Sequence, residues 1–316
     1  MQVNYPNLAS MVFNTPLLAT RTAVDAVKSV LIPRIMGNGS IEIPSLQQNQ
    51  ALPEPLAAVA DDDCDISGMY TTANGRVAVI PIHGLLMARR GHITAACTEL
   101  NSYEKLQNRM TRALNNNMIE EVVVDFNTGG GMAVGCKELA DFIYQSRQIK
   151  PINAIVNYNA YSAGYYLASA CSKIIVSSTS GVGSIGVIME HMESSKLEEN
   201  MGLNFTTFFR GDHKNDGSPH EPITEQAIIE INARLDETYR MFTESVAQYR
   251  KIDVQKIIDT QARLFGAKEA ITMGLADELM SPFEAINAIA KPYMSQTTRT
   301  RSIGMQAKAM NMTNQL

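Results

Sequence analysis

Short apolar runs alternate with helical patterns through most of the chain from residue 75 onward. Segments 102–115 and 132–146, a short stretch from Ala163, and about 30 residues from Glu221 to Arg250 have helical character, and two shorter helices follow. Strands that are apolar along their length, with helices between them, are typical of a layered α/β domain with buried parallel strands. The runs that predict strands are Val77–Ile82, Val122–Phe126, Ile152–Tyr158, Ile174–Val176 and Phe205–Phe209.

The two ends of the chain lack this alternation. Prolines interrupt residues 1–70, where the best helical pattern is Arg21–Leu31. The acidic run Asp61–Asp63 lies near the end of this stretch and is expected to be a solvated surface. We interpret residues 1–70 as an irregular N-terminal arm or pro-segment, with a domain boundary near Tyr70. The α/β domain then covers residues 71–292, and the polar, methionine-rich residues 293–316 are expected to form a flexible tail.

Composition narrows the class of protein. The 316 residues are 45% hydrophobic and 19% charged, with a net charge of −5, so a sizeable core is expected and nucleic acid is not expected as the main ligand. No run approaches the roughly 18 apolar residues of a transmembrane helix, and the first ten residues lack the pattern of a signal peptide. A soluble intracellular protein is therefore expected. The cysteines form no CxxC pair and are interpreted as buried thiols, not zinc ligands or disulfides: Cys64, Cys97, Cys136 and Cys171.

A glycine corner is the first candidate for chemistry. Asn127–Met132 contains three consecutive glycines after a predicted strand and before a predicted helix. Glycines leave backbone N–H groups uncovered, and a helix N-terminus adds partial positive charge. Such a corner can hold a phosphate, a carboxylate or an oxyanion, but it lacks the residues of a P-loop. A plain turn between strand and helix is the alternative.

A serine at a helix start is the second candidate. Ser162 follows a predicted strand and is flanked by the small residues Ala163 and Gly164. The setting is similar to the nucleophile turn of hydrolases, although the Gly-x-Ser-x-Gly spacing is absent. An ordinary N-cap serine is the competing interpretation.

The base that a nucleophilic serine needs is not decided by the residues alone. None of the five histidines lies in a setting that suggests a triad, and a lysine can also act as the base once burial lowers its pKa. The polar loop Arg210–Pro219 offers Lys214, although most loop lysines are solvated surface charges.

Taken in order, these segments resemble the Ser-Lys peptidases of the signal peptide peptidase A family, and within it the capsid assembly (prohead) proteases of lambda-type phages. The resemblance covers residues 6–290 and contains two departures. Gly129 stands where the family usually has proline, and only 24 residues follow Pro292 where the lambda-type enzymes carry a long C-terminal extension that overlaps the scaffold protein. The segments that carry it are Pro6–Leu17, Val79–Gly84, Asp125–Met132, Ser162–Gly164, Gly183–Val187, His213–Gly217 and Gly274–Glu278.

The resemblance implies a role for each candidate residue. Ser162 is the nucleophile, Lys214 the general base, and Ser184 the serine that orients the lysine. The amides of Gly131 and Ala163 form the oxyanion hole, in a turn shaped by Gly130. The implied reaction needs neither a metal nor a cofactor. The implied fold is a crotonase/ClpP-like spiral of parallel strands and interleaved helices, assembled into homo-oligomeric rings in which neighbouring subunits share each site.

The implied function is serine endopeptidase activity in phage head maturation. The implied substrates or assembly partners are the scaffold protein, the major capsid protein and the portal, and self-cleavage is also implied as an option. Such a protein would work in the host cytoplasm and inside the procapsid, with neither nucleic acid nor a membrane as partner. The alternatives are a host peptidase without a capsid role and a catalytically silent capsid component. A crotonase-type acyl-CoA enzyme would leave the pair Ser162 and Lys214 unexplained.

Overall fold

A computed structural model describes residues 12–35, 69–89 and 101–294 of the chain. Within these ranges, no helix is both long enough and apolar enough to cross a membrane. The strands are β1 (Leu17–Ala19), β2 (Tyr70–Thr72), β3 (Val77–His83), β4 (Leu86–Met87), β5 (Asn101–Ser102), β6 (Glu121–Thr128), β7 (Gly130–Met132), β8 (Ile152–Tyr161), β9 (Lys173–Val176), β10 (Gly181–Gly183), β11 (Leu264–Gly266) and β12 (Glu278–Leu279). The helices are α1 (Arg21–Ile35), α2 (Tyr103–Asn115), α3 (Cys136–Ser146), α4 (Ala163–Ser169), α5 (Ser195–Asn200), α6 (Glu225–Arg250), α7 (Val254–Ile258), α8 (Ala267–Thr272) and α9 (282–294).

The main sheet is largely parallel, as the apolar runs predict. Its order is β11-β10-β8-β6-β3-β2, with β9 also on β8 and β12 on β9; only the edge strands β2 and β11 pair antiparallel. One face carries the main core under α2, α3, α4 and α6, and the other packs against α9 through Val79, Val123 and Ile155. Because the central strands are covered on both faces, most of their residues are apolar. The prediction of a mixed α/β domain with parallel strands and interleaved helices is confirmed.

A second, smaller sheet joins the N-terminal arm to the domain. Its order is β1-β7-β4-β5, and β1 runs antiparallel to β7. The domain boundary near residue 70 stays a prediction, but residues 17–19 of the arm are paired with residues 130–132. The acidic run at 61–63, Cys64, Cys97 and the tail from residue 295 lie outside the described residues.

Two predicted elements begin or end elsewhere. The helix predicted over residues 132–146 starts at Cys136, because Gly130–Met132 forms β7 and Gly135 caps the helix in a left-handed conformation with φ of 85°. The helix predicted over Arg21–Leu31 continues to Ile35.

The strand predicted over Phe205–Phe209 is wrong. These residues have no regular secondary structure and are exposed, and the Phe208 side chain is 89% accessible. An apolar run forms a strand only where a neighbouring strand satisfies its backbone, and no described strand pairs with this one.

An ion pair between buried Arg250 and the partly exposed Asp277 fixes the end of α6 to the sheet. Arg250 donates from Nη2 to Asp277 Oδ1 at 2.7 Å and from Nη1 to Oδ2 at 3.0 Å, and the N–H of Ile174 donates to Oδ2 at 2.7 Å. Desolvation acts to raise the pKa of Asp277, but these bonds and the charge of Arg250 outweigh it and hold the pKa below its usual value of 3.8.

Substitution of Asp277 is expected to remove a pH-dependent part of the stability. Because the folded chain lowers this pKa, the carboxylate stabilises the fold at neutral pH, and its contribution disappears as the pH falls through the lowered folded value. Because the Asp277 side chain is 34% exposed and its charge is partly screened by water, we expect Asp277→Asn to lower the free energy of unfolding by about 1 kcal/mol at pH 7 and by much less near pH 3. Urea unfolding of both chains across this range measures the difference. Glu278→Gln is the control and should change little, because Glu278 pairs with Lys173, whose side chain is 46% exposed, whereas the Arg250 partner of Asp277 is only 8% exposed.

Candidate active site

Ser162 lies in a strained turn between β8 and α4. Its φ of 53° and ψ of −116° are a conformation that side chains other than glycine rarely adopt. Its N–H donates to Gly183 O and its carbonyl accepts from Tyr166 N, both at 2.8 Å. The hydroxyl makes no capping hydrogen bond to the helix. Ser162 therefore occupies the N-cap position without capping the helix through its side chain, and the turn is sharp, as the nucleophile turns of hydrolases are.

The Ser162 hydroxyl is buried and unpaired. The residue is 0% exposed, and Oγ has no hydrogen-bond partner among the described residues. Buried hydroxyls are normally paired, because an unmade hydrogen bond costs about 1–3 kcal/mol. Strain and an unpaired hydroxyl at one residue indicate a position kept for chemistry.

Two tyrosines hold α4 in place behind this turn. Tyr165 donates its hydroxyl proton to Leu275 O at 2.9 Å, and Tyr166 donates to Ser245 Oγ at 2.9 Å while stacking on Phe242 at 4.4 Å. Burial raises the pKa of both phenols well above 10, so they serve as hydrogen-bond donors. The two side chains thus anchor α4 to the core from behind.

The glycine corner lies beside Ser162 at the carboxyl ends of neighbouring strands. Thr128, at the end of β6, is in register with Ala160 of β8. Its Oγ1 donates to Gly84 O at 2.5 Å and accepts from the N–H of Gly130 at 3.0 Å. The N–H of Gly130 is therefore already paired. This glycine shapes the turn through its positive φ of 107°. The Ala163 N–H is the first of α4 and has no carbonyl four residues earlier in the helix.

Thr128 also sets how closely α4 approaches β6. A Cβ on Gly164 would lie 2.4 Å from Thr128 Cγ2. We expect Gly164→Ala to lower the free energy of unfolding by about 1–3 kcal/mol, since the added methyl overpacks this contact. The loss should shrink in the Thr128→Ser background, which removes Cγ2 and keeps the hydroxyl. Urea unfolding of the four chains in the cycle measures the coupling. An equal loss in both backgrounds would contradict this contact as the cause.

Ser184 lies next to Ser162 because of strand register. Gly181, Val182 and Gly183 of β10 pair with the residues of β8 that lie 22 positions earlier, 159–161. The same offset places Ser184 beside Ser162 at the ends of two parallel strands. Ser184 also has a positive φ of 55°, and its N–H donates to Arg263 O at 2.9 Å.

Lys214 does not contact Ser162 within the single chain. It lies in an exposed turn, where its N–H donates to Gly211 O at 3.0 Å, and Ser162 Oγ has no partner among the described residues. The four described histidines have other partners: His83 contacts Asp125, His191 contacts Asn14, His213 contacts Asp216, and His220 contacts Glu198. The structure brings together Ser162, Ser184, Ala163 and the glycine corner, and leaves Lys214 outside this group.

The described cysteines are buried, as expected. Cys136 and Cys171 are both free, and desolvation raises the pKa of Cys171 to about 12, which leaves this thiol protonated at neutral pH. Within the described ranges, no group of three or more histidine, cysteine or acidic residues could hold a metal ion.

The sequence interpretation assigned no role to Thr128. It was visible as the residue before three glycines in Asn127–Met132, where a hydroxyl can bond the backbone of the turn that follows.

Comparison with known proteins supports a peptidase. Over 290 residues, 90% of this chain, the sequence is 33% identical to the capsid assembly protease C of Escherichia phage lambda, of which it covers 65%. Over 92% of the chain it is also 33% identical to the head-tail preconnector protein GP5 of Enterobacteria phage P21, of which it covers 58%. The chain thus spans less than two thirds of either relative. Residues 144–293 match the model described as peptidase family S49. This matched stretch, somewhat under half of the chain, is therefore similar to peptidase family S49.

Proposed function

We propose that this chain is a serine endopeptidase of phage head maturation. The observation that carries the proposal is Ser162, held at positive φ with a buried, unpaired hydroxyl at the start of α4. A catalytically silent shell component would have no reason to keep this strained and unsatisfied residue. The polypeptide is proposed to follow the crotonase-like spiral that the family resemblance implies.

The proposed mechanism is acyl transfer with Ser162 as the nucleophile. Ser162 Oγ attacks the substrate carbonyl while its proton passes to the uncharged Lys214 Nζ, and the amides of Gly131 and Ala163 hold the oxyanion. The C–N bond then breaks as Lys214 gives this proton to the leaving amine. Water attacks the acyl-enzyme ester by the same proton route and restores Ser162. Ser184 is proposed to accept a hydrogen bond from Lys214 and so orient the amine.

Lys214 is proposed to reach Ser162 of a neighbouring subunit in a homo-oligomeric ring. Within one chain the lysine is exposed while Ser162 Oγ is buried and unpaired. The segment before Lys214 exposes Phe205, Phe208 and Phe209. Contiguous exposed apolar side chains mark association surfaces, and burial of this segment against another copy would also exclude water from the amine.

The phage relatives support the assignment to head maturation. One is named a capsid assembly protease and the other a head-tail preconnector protein. By this relationship the proposed substrates or assembly partners are the scaffold, major capsid and portal proteins, met in the host cytoplasm and inside the procapsid.

Cleavage of head proteins tests this proposal. The parent chain and Ser162→Ala are incubated separately with the scaffold and capsid proteins of the same phage, and new termini are identified by mass spectrometry. We expect discrete new termini with the parent and none with the variant. Identical fragments from both chains, or no fragments from a correctly assembled parent, would contradict the proposal.

A further inference from the structure

The N-terminal strand β1 is bound on both edges like a peptide in a groove. On one edge it pairs antiparallel with β7, with Leu18 opposite Gly131. On the other edge Leu17 exchanges hydrogen bonds with Ile188, from Leu17 N to Ile188 O at 2.8 Å and from Ile188 N to Leu17 O at 2.9 Å. The arm is therefore the central strand of three, lying between the glycine corner and the segment that follows Ser184.

The register places one carbonyl of the arm on the proposed oxyanion donor. Ala133 N donates to Pro16 O at 3.3 Å, and Thr20 N donates to Gly129 O at 2.9 Å. In an antiparallel pair, hydrogen-bonded positions alternate, so the position between these two, Leu18 opposite Gly131, is also hydrogen-bonded. The Gly131 N–H therefore points to the carbonyl of Leu18.

The side chain of Leu18 enters the main core, as a side chain enters a specificity pocket. Leu18 is 1% exposed and belongs to the same hydrophobic cluster as Ala163 and Tyr166. Its neighbours Leu17 and Ala19 belong to a separate cluster on the other face of the strand. Strand alternation thus directs one apolar side chain inward at the position whose carbonyl faces Gly131.

The glycine corner is shaped to accept this backbone. A Cβ on Gly130 would lie 2.0 Å from Leu18 O, and one on Gly129 would lie 3.2 Å from Thr20 Oγ1. The close approach of a second main chain thus requires glycine at residue 130, and strand addition of this kind is a common way to bind an extended peptide.

We propose that residues 16–20 occupy the peptide-binding groove in the manner of a substrate. Leu18 takes the position of the substrate residue whose carbonyl is attacked. This inference rests on the proposed peptidase function for the identity of the groove. The site takes an extended peptide with a leucine-like side chain at that position, and the arm must leave before a substrate peptide can enter.

Ion pairs at the rim of the groove add to the strand pairing of the arm. Arg21 and Lys28 pair with Glu190 at 2.8 and 2.7 Å. The Arg21 side chain is 60% exposed, so its pair contributes little to stability, whereas the Lys28 side chain is only 21% exposed. The amide of Asn14 also donates to Gly217 O at 3.4 Å, which links the arm to the turn that carries Lys214.

A binding measurement that needs no catalysis tests the inference. A fluorescent peptide with the sequence of residues 14–21 is titrated against two full-length chains, Ser162→Ala and Ser162→Ala with Leu18→Asp, and anisotropy is recorded. A charge in the apolar pocket should release the arm, so we expect the second chain to bind the peptide at least about tenfold more tightly. Ser162→Ala with Thr22→Asp, which places the same charge on an exposed arm residue, is the matched control and should bind like Ser162→Ala.

A second measurement covers the case in which Leu18→Asp does not fold. Hydrogen exchange of residues 12–20 is followed in full-length Ser162→Ala with and without an excess of the same peptide. Faster exchange on peptide addition is expected, since the arm is displaced. Unchanged exchange at saturating peptide, or equal binding by all three folded variants, would overturn the inference. Both readouts measure binding by a variant without the proposed nucleophile. Displacement of the arm can therefore be observed even if the parent chain cleaves no substrate, so failure of the inference and failure of the proposed peptidase function can be told apart.

Discussion

Replacing Ser162 by alanine is expected to lower kcat/KM by at least about 10³-fold and to raise the free energy of unfolding by about 1 kcal/mol. The activity is lost because no other described hydroxyl lies at the start of α4 beside Gly131 and Ala163. The stability rises because the variant no longer buries an unpaired hydroxyl at 0% exposure. Loss of activity with gain of stability is typical of a residue kept for chemistry.

Ser162→Gly extends the same experiment to the backbone. The φ of 53° costs a serine or an alanine roughly 1–3 kcal/mol but costs a glycine little. We expect the glycine variant to be inactive and to unfold at a higher temperature than the parent.

Peptidase assays and thermal unfolding of the three chains, at one concentration and in one oligomeric state, measure both effects. Ser169→Ala removes another buried α4 hydroxyl, but one that donates to Tyr166 O at 2.7 Å, so it is the matched control. It should retain activity and lose some stability. A stable parent whose Ser162→Ala variant keeps full activity would contradict the assignment of the nucleophile.

The buried strands could be predicted from the sequence because burial on both faces leaves a local signal. The runs Val77–Ile82, Val122–Phe126, Ile152–Tyr158 and Ile174–Val176 correspond to β3, β6, β8 and β9. The long helix ending at Arg250 was predicted equally well, since 26 residues contain many repeats of its period.

The short strands could not be predicted, because their pairing is not local. β1 and β7 have three residues each and meet across more than 100 positions of sequence, and β7 is mostly glycine. The strand predicted over Phe205–Phe209 was wrong for a related reason. Apolar character shows that a segment is to be covered, but not whether its own chain or another copy covers it.

The candidate site was predictable in its parts and not in its assembly. The spacing of 22 residues between Ser162 and Ser184 carries no meaning until the register of β8 and β10 is known. The strain at Ser162 likewise depends on the turn between β8 and α4, where α4 is held by Tyr165 and Tyr166. The role of Lys214 stays a prediction, and it is the part of the site that a single chain does not complete.

Mixing two inactive variants is expected to restore activity if Lys214 serves the Ser162 of another subunit. Lys214→Ala and Ser162→Ala should each lose at least about 10³-fold in kcat/KM. We consider a ring built at random from equal amounts of the two variants. A site in it is complete when the Lys214→Ala chain supplies Ser162 and the Ser162→Ala chain supplies Lys214. About a quarter of the sites should meet this condition in a head-to-tail ring.

The reason for this expectation is geometric. Ser162 Oγ is buried without a described partner, while Lys214 is exposed in a turn preceded by exposed phenylalanines. An amine on the surface of its own chain can approach a buried hydroxyl only if the turn moves or another chain supplies it. Supply by another chain also covers the phenylalanines, whose exposure is otherwise costly.

Coexpression of the two variants with different affinity tags yields mixed oligomers, and peptidase activity is measured after tandem purification. The double variant Ser162→Ala with Lys214→Ala, coexpressed with either single variant, is the control, because neither combination can complete a site in trans. Mixed oligomers that stay as inactive as these controls would exclude sharing between subunits. A Lys214→Ala chain that is fully active alone would remove Lys214 from the mechanism altogether, whatever the oligomer, and would return the search for the base to the residues around Ser184.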